Sequence, residues 1–146
     1  MEYYLKTACW KDLDLLFAWA NDPAVRKNSF SSKEIVYEEH KVWYQMLLSD
    51  PDCRQYLYMQ DDLPVGQARI VSAGDNAEVS YSICAEKRGM GHGKRLLRLL
   101  QKQITKDFPQ VKYLVAKVKA DNTASGNAFL SAGYQKDYEV YRMDCR

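Results

Sequence analysis

The sequence predicts a single mixed α/β domain in which helices and short strands follow the order βααβββαβαββ. Apolar residues recur with helical spacing in some segments and alternate with polar residues in others, and turn residues separate the two kinds. The chain has 146 residues and 47% hydrophobic content, which is enough for one core. No change in composition marks a linker, so we expect one domain over residues 1–146.

The first half of the chain predicts a strand, two helices and a three-stranded meander. Residues 3–9 alternate weakly, and residues 12–20 repeat with helical period until an Asn-Asp-Pro turn. Ser31 and Glu34 form a capping-box pattern for a second helix that ends near Leu48. The three meander strands follow, separated by turn residues, at residues 54–60, 65–72 and 77–84.

The second half predicts a helix, a strand, a short helix and a final hairpin. The first of these helices follows a glycine-rich turn and has one apolar and one basic face. Residues 111–119 are β-branched and alternating, and residues 123–131 have helical spacing. Residues 134–145 are rich in aromatic side chains, and we expect them to form the last two strands.

The most distinctive segment is the basic, glycine-rich turn at residues 86–95. Three of the five residues 89–93 are glycine, which permits a sharp turn and close approach to a ligand. The helix that follows offers free N–H groups and the positive end of its dipole, so the turn predicts a phosphate site. Its spacing fits neither a Walker loop nor a dinucleotide fingerprint. It fits Arg-x-x-Gly-x-Gly, in Arg88, Gly91 and Gly93.

This pattern resembles the pyrophosphate loop of the GNAT acyltransferase superfamily, and the predicted element order is similar too. The resemblance implies a mixed, mostly antiparallel sheet of about six to seven strands with about four helices, splayed between its fourth and fifth strands. It also implies an N-acetyltransferase with acetyl-coenzyme A as co-substrate. The loop residues expected to bind acetyl-coenzyme A are Arg88, Gly89, Met90, Gly91, His92, Gly93 and Lys94. A turn that needs glycine only for its own geometry is the alternative.

A second motif lies after the strand at residues 111–119. Its residues look like the family's Asn-x-x-Ala/Ser…Gly-Phe/Tyr segment, and they are Asn122, Ser125, Phe129, Gly133 and Tyr134. In the family the asparagine binds the pantetheine arm, which implies that Asn122, Ser125 and Phe129 contact the cofactor. A helix cap is the alternative explanation of Asn122.

Phe129 departs from the family pattern, because many members carry there the tyrosine that protonates the leaving thiolate. A phenyl ring donates no proton, so either another group or solvent must protonate the leaving thiolate. Solvent can do so because a thiol has a pKa of about 8.5. Tyr134, Tyr138 and Tyr141 are near in sequence, and their spacing singles out none of them. Tyr134 is the candidate catalytic tyrosine.

The strand before the glycine loop is the expected place for the remaining chemistry. Acetyl transfer needs a neutral amine, an acceptor for its proton and donors for the oxyanion. In the family, a bulge late in this strand turns backbone N–H groups toward the thioester, which implies Ile83 and Cys84 here. Glu78 is the candidate general base, acting directly or through water; the alternative is that it is only a solvent-facing strand residue. Tyr81 is a candidate substrate contact.

Residues 19–30 and 40–44 are the expected acceptor-binding region. They look like the Trp-Asn-Asp…Val-Arg…Ser-Phe and His-x-x-Trp pattern of the branch that acetylates amino-sugar nucleotides. The branch that acts on protein N-terminal amines shares parts of it. The resemblance implies substrate contacts from Arg26, in a loop, from Phe30 and from His40, with Arg26 and His40 near a diphosphate.

Three functions therefore stay open at this point. The first is an N-acetyltransferase of a small-molecule amine, with an amino-sugar nucleotide as the preferred acceptor. The second is a protein or peptide N-terminal acetyltransferase, and the third is a non-catalytic acyl-coenzyme A-binding module.

Composition limits the compartment and the partners. A net charge of +2 is too small to indicate nucleic-acid binding. The chain shows no signal peptide and no membrane-spanning apolar run, so we expect a cytoplasmic protein without a membrane partner, as monomer or homodimer. The four cysteines are scattered and only two histidines accompany them, so we expect no metal.

Overall fold

The computed structural model describes residues 1–145, which form one central sheet with helices on both of its faces. The strands are β1 (Tyr3–Thr7), β2 (Cys53–Gln60), β3 (Leu63–Ala73), β4 (Asn76–Ile83) and β5 (Tyr113–Val115). The helices are α1 (Leu13–Ala20), α2 (Pro23–Asn28), α3 (Tyr37–Ser49), α4 (His92–Asp107) and α5 (Thr123–Ser131).

The sheet has the order β1-β2-β3-β4-β5. Its first four strands pair antiparallel, and β5 pairs parallel to β4. A parallel neighbour requires a crossover connection, and α4 supplies it. The predicted mixed, mostly antiparallel α/β class is therefore confirmed, with five strands and five helices in the described part instead of about six to seven and about four.

The two missing strands are those predicted in residues 134–145. No strand forms in the part of this segment that the structure describes, and Tyr138, Tyr141 and Met143 are exposed. β5 is also shorter than predicted, with three residues instead of nine. An edge strand this short offers few backbone groups to a further strand, and an isolated two-stranded hairpin is only marginally stable.

The connection from α1 to α3 also differs from the prediction. Residues 23–28 form α2, with Asp22 as its N-cap and Pro23 at its start, so Arg26 lies on a helix instead of in a loop. The predicted capping box at Ser31 and Glu34 is wrong, because α3 begins at Tyr37.

The side chain of Asn21 explains why α3 begins late. Its Oδ1 accepts from the N–H of Ile35 at 2.8 Å, and its Nδ2 donates to the carbonyl of Ile35 at 2.8 Å. Both backbone groups of Ile35 are thereby bound outside a helix, which prevents the helix from extending toward Ser31.

The sheet separates two cores. The larger lies against α4 and α5 and includes Tyr58, Ile70, Val79, Leu97 and Phe129. The smaller lies against α1 and α3 and includes Leu13, Leu16, Tyr44, Leu57 and Met59. Along β4, Val79 and Ile83 belong to the larger core, and the alternation of strand side chains therefore places Glu78, Ser80 and Ser82 on the face toward α1 and α3.

The sheet opens between β4 and β5. Their pairing covers only Asn76–Tyr113, Ala77–Leu114 and Glu78–Val115, so the second half of β4 has no paired neighbour on that side within the described residues. The bulge expected late in β4 is not there, because β4 pairs with β3 in continuous register from Asn76 to Ile83. The register shift lies between β2 and β3, at Tyr58/Met59. The opening thus results from the shortness of β5.

Candidate active site

The glycine loop ends in a helix terminus whose backbone faces outward. Gly89 and Gly91 have φ angles of 76° and 82°, which L-residues rarely adopt, and Gly91 is the N-cap of α4. The first N–H groups of a helix have no partner within it, which leaves those of His92, Gly93 and Lys94 for a ligand. This backbone, with exposed Met90 beside it, fits an anion such as a pyrophosphate.

Gly93 is required for packing. Its φ is not positive, and a Cβ atom at this position would lie 3.3 Å from the ring and hydroxyl of Tyr81 and 3.5 Å from Ala128. Gly93 therefore lets α4 approach β4 and α5 closely, at the point where the sheet opens.

The side chain of Arg88 holds the loop to the α1–α2 turn. Its Nε donates to the carbonyl of Ile83 at 3.0 Å, and its Nη2 lies 2.9 Å from Oδ1 of Asp22. Burial by itself would raise the pKa of Asp22, but the hydrogen bond and charge of Arg88 and the N–H groups of Val25 and Ala24 lower it. The loop and the acceptor region are thus joined by one ion pair.

His92 points into the core. Its Nδ1 lies 2.8 Å from the hydroxyl of Tyr58, and its side chain is buried. Burial, with Arg95 and Lys87 nearby, lowers the pKa of His92, so the ring is neutral at pH 7. Any contact of His92 with a phosphate must come from its backbone.

A basic groove of about 340 Å³ continues from the loop along the exposed face of α4. One of its cations is held in place, because the Arg95 guanidinium lies 4.0 Å from the centre of the Tyr3 ring. The residues that line the groove are Gly91, Lys94, Arg95, Arg98, Leu99 and Lys102.

The backbone at the end of β4 is only partly available to a thioester. The N–H of Cys84 donates to the carbonyl of Val65 at 2.8 Å, so Cys84 does not supply the donor expected of it. Hydrogen bonds alternate along an antiparallel pair, so the N–H groups of Tyr81 and Ile83 point toward the opening beside β5. A donor from Ile83 stays a prediction.

The second motif brings its residues to the other side of the opening. Asn122 is the N-cap of α5, and its Oδ1 accepts from the N–H of Ser125 at 3.3 Å. Ser125 lies beside the hydroxyl of Tyr81. Burial raises the pKa of Tyr81, and the hydrogen bond with Ser125 acts in the opposite direction.

Three aromatic rings of β4, α5 and the segment after α5 form one cluster. The Phe129 ring is 5.4 Å from that of Tyr81 and 4.8 Å from that of Tyr134, both edge-on. The hydroxyl of Tyr134 is buried and has no hydrogen-bond partner in the described part of the chain. Burial raises the pKa of Tyr134 to about 12, which keeps its proton in place. An unpartnered buried hydroxyl is energetically costly.

Glu78 lies at the far end of β4 from the loop. Its Oε1 is 3.2 Å from Nζ of Lys117, and the carboxylate is about half exposed. Ile83 is five positions further along β4, which corresponds to a distance of roughly 16 Å along a strand. The structure therefore does not bring Glu78 to the loop end, and any role in proton transfer must pass through the acceptor or water.

The predicted acceptor residues have different surroundings. The Arg26 guanidinium donates to the carbonyls of Ala20, Ser31 and Lys33 and to Oγ of Ser29, at 2.7 to 3.2 Å, so it stabilises the α1–α3 connection. Phe30 is 71% exposed, and His40 is buried among aromatic rings. A small cleft near them meets the end of β4 and is lined by Trp19, Asp22, Val25, Ser82, Ile83, Cys84, Ala85 and Arg88.

Two residues of this region were missed by the sequence analysis as site residues. Asp22 was interpreted as part of a helix-ending turn and of the acceptor-region pattern, without a role of its own, and its partner Arg88 lies 66 residues away. Arg69, on β3, lies with its guanidinium 5.0 Å from the centre of the Trp43 ring. Strand alternation places Arg69 on the same face as Ser80, but no local motif marks it.

Residues 1–145 contain no cluster of three or more histidine, cysteine, aspartate or glutamate side chains suited to a metal ion. No helix in the same range has the length and apolar character needed to cross a membrane.

A phosphate-binding helix terminus beside an opened strand pair is the arrangement of an acyl-coenzyme A-dependent transferase. The particular family follows from the sequence, because residues 3–135 match the model of the family described as acetyltransferase (GNAT) domain. The chain belongs to this family. The resemblance inferred from the glycine loop is confirmed, and the chain is an N-acetyltransferase.

Solved structures agree on the fold. An aminoglycoside acetyltransferase AAC(6')-Ib in complex with ribostamycin and coenzyme A has 17% identity and a TM-score of 0.85, over 96% of this chain and 87% of that one. Spermidine N-acetyltransferase from Vibrio cholerae, in complex with coenzyme A and spermine, has 14% identity and a TM-score of 0.83, over 94% and 83%. A domain from Methanocaldococcus jannaschii has 23% identity and a TM-score of 0.82, over 95% and 92%. No curated protein sequence matches this chain.

Proposed function

We propose that this enzyme transfers the acetyl group of acetyl-coenzyme A to a primary amine of a small molecule, with an amino-sugar nucleotide as the preferred acceptor. The observation that carries the proposal is the junction at the end of β4. There the glycine loop, the opened strand edge and the cleft under α1 and α2 meet, and Arg88 joins them through Asp22. The similar structures with ribostamycin and spermine support a small-molecule amine.

The loop backbone and the opening divide the work of binding. The N–H groups of His92, Gly93 and Lys94 would hold the pyrophosphate, and the Ile83 N–H and Ser125 would bind the pantetheine arm. Asn122 positions Ser125 by accepting from its N–H. When bound, acetyl-coenzyme A supplies an activated acetyl group as a thioester. Tyr81 and Phe129 exclude water from the opening, since their rings pack against each other there.

Proton movement is assigned to Tyr134, which packs against Phe129 after α5, and to Glu78 on β4. Tyr134 donates a hydrogen bond from its hydroxyl to the leaving sulfur, which departs as a thiolate, because that hydroxyl is buried, protonated and without a partner in the described structure. Glu78 accepts the proton of the amine through water on the face toward α1 and α3, where its carboxylate is half exposed.

A thiol-release assay tests the function. Acetyl-coenzyme A is presented with amino-sugar nucleotides, aminoglycosides, polyamines, amino acids and N-terminal peptides, and each product is checked by mass. We expect turnover with an amino-sugar nucleotide. Turnover restricted to N-terminal peptides would assign the enzyme to protein acetylation, and acetyl-coenzyme A binding without turnover of any amine would leave only a binding module.

A further inference from the structure

Arg69 is a half-buried cation on the acceptor face without a carboxylate partner. Its guanidinium lies against the Trp43 ring, and its only hydrogen bond in the described structure is a long one of 3.5 Å from Nη2 to Oγ of Ser80. Burial lowers the pKa of Arg69, although Cys53 and Glu78 act in the opposite direction. Withdrawing a cation from water is costly unless an anion compensates it.

Two carboxylates of the acceptor side already have cations of their own. Asp22 pairs with Arg88 at 2.9 Å, and Glu78 pairs with Lys117 at 3.2 Å. Within residues 1–145, no carboxylate lies within 4.0 Å of the Arg69 guanidinium. The acceptor face therefore presents an excess of positive charge at this point.

A second orphan polar group lies in the same place. His40 is 4% exposed, its ring centre is 5.4 Å from that of Trp43, and its Nε2 has no hydrogen-bond partner in the described part of the chain. The charge of Arg69 helps to lower the pKa of His40. We call Trp43, Arg69 and Ser80, with His40 beside them, the Arg69 cluster.

We infer that the acceptor carries an anionic group, a phosphate or a carboxylate, which binds the guanidinium of Arg69 in the Arg69 cluster. The inference rests on the proposed acetylation of an amine at the end of β4, and it makes Arg69 the residue that selects among amines. A polycationic acceptor meets the like charge of Arg69, whereas an anion supplies the partner that Arg69 lacks.

The spacing of residues along β4 sets the distance between the amine and the anionic group of the acceptor. Arg69 is held beside Ser80, and Ile83 lies three residues further along β4, or roughly 10 Å. A free α-amino acid carries its amine and carboxylate on one carbon and is too short to reach both places. An amino sugar with a phosphate across the ring, or a peptide with an acidic side chain, is long enough.

Matched acceptor pairs test this inference. One pair is an amino-sugar nucleotide and the methyl glycoside of the same amino sugar; the other is an N-terminal peptide with aspartate and its asparagine counterpart. We expect the wild-type enzyme to prefer the anionic member of one pair. Replacing Arg69→Gln should raise KM for that member by roughly 10- to 100-fold, as expected for the loss of a charged hydrogen bond. KM for the neutral member and acetyl-coenzyme A affinity should not change.

Two variants serve as controls. Arg69→Lys keeps the charge and should retain part of the preference. Arg54→Gln removes an arginine that also packs on an aromatic ring, that of Phe108, but belongs to the other face of the sheet, and it should leave KM for both members unchanged.

A binding measurement tests the inference even if none of the four acceptors is a substrate. With coenzyme A saturating the glycine loop, inorganic pyrophosphate should shift the NMR resonances of His40 in the wild type and not in Arg69→Gln. Equal use of both members of each pair, equal losses for both in Arg69→Gln, or no pyrophosphate shift would overturn the inference. Turnover of neutral amines alone would overturn it while leaving the proposed acetyltransferase activity intact.

Discussion

The cofactor half and the acceptor half of this site are built in different ways. The cofactor half is a backbone surface of consecutive residues, from Arg88 to Lys94, whose shape depends on the positive φ angles of two glycines. The acceptor half is a surface of side chains from helices and strands distant in sequence, with Trp43 on α3, Arg69 on β3 and Ser80 on β4. A backbone site therefore tolerates changes of side chain, whereas a side-chain site can change its ligand by a single substitution.

The largest expected effect falls on the backbone half. Gly91→Val forces a β-branched residue to adopt a φ of 82°, which costs about 1–3 kcal/mol or displaces the loop. Calorimetry should show acetyl-coenzyme A affinity reduced to the limit of detection. Gly74→Val is the matched control, because Gly74 has a φ of 66° in the β3–β4 turn and no atom near its Cβ position. It should lower the melting temperature and leave the affinity unchanged; equal losses of affinity in both variants would contradict the backbone role.

Tyr134→Phe should have the next largest effect, on turnover. A phenol with a pKa of about 12 is a weaker acid than a thiol, so Tyr134 acts mainly by donating a hydrogen bond to the developing thiolate. We expect kcat to fall about 100-fold, at the low end for general acids, with acetyl-coenzyme A affinity unchanged.

The control for Tyr134 is Tyr138→Phe, since Tyr138 is 68% exposed and near in sequence. A kcat within twofold of wild type in Tyr134→Phe would transfer the role to solvent. A shared loss in both variants would point to the tail as a whole instead of to one hydroxyl.

Glu78→Gln should have a smaller effect on kcat. Because Glu78 is ion-paired and roughly 16 Å from Ile83, it acts through water, and we expect a loss of about 10-fold, below the 100-fold or more of a directly placed base. Raising the pH should recover part of the rate by supplying neutral amine. Lys117→Gln, which frees the carboxylate, should not lower kcat. Normal turnover of Glu78→Gln at neutral pH would exclude Glu78 from the mechanism.

The same contrast explains what the sequence predicts and what it does not. The turn around Gly91 is local, so spacing within a few residues identifies it, as it does the cap at Asn122. The sheet class follows from alternation. The start of α3 was placed wrongly because Asn21 binds Ile35 fourteen residues later, and no local pattern records that contact. Arg69 was missed for the same reason.

The roles expected of Arg26 and Arg88 show a second limit. A basic residue in a phosphate motif or beside an aspartate-proline turn suggests ligand binding, but both guanidiniums are bound by the protein itself. Sequence gives the charge, and only the tertiary structure shows which cation already has a partner. That distinction separates Arg69 from Arg26 and Arg88.

The smallest expected effect is on the pKa values of the two histidines, His40 in the acceptor half and His92 in the cofactor half. Burial lowers the pKa of both, with Arg69 contributing at His40 and Arg95 and Lys87 at His92. Below the unfolded-state pKa of about 6.5, the two histidines bind protons in the unfolded chain but stay neutral in the folded chain. The free energy of unfolding therefore falls as the pH falls, by up to about 1.4 kcal/mol per pH unit for each histidine. Titration by NMR should place both pKa values below 6.5. Arg69→Gln should raise the pKa of His40 and leave that of His92 unchanged, whereas equal shifts would mean that the halves are electrostatically one site.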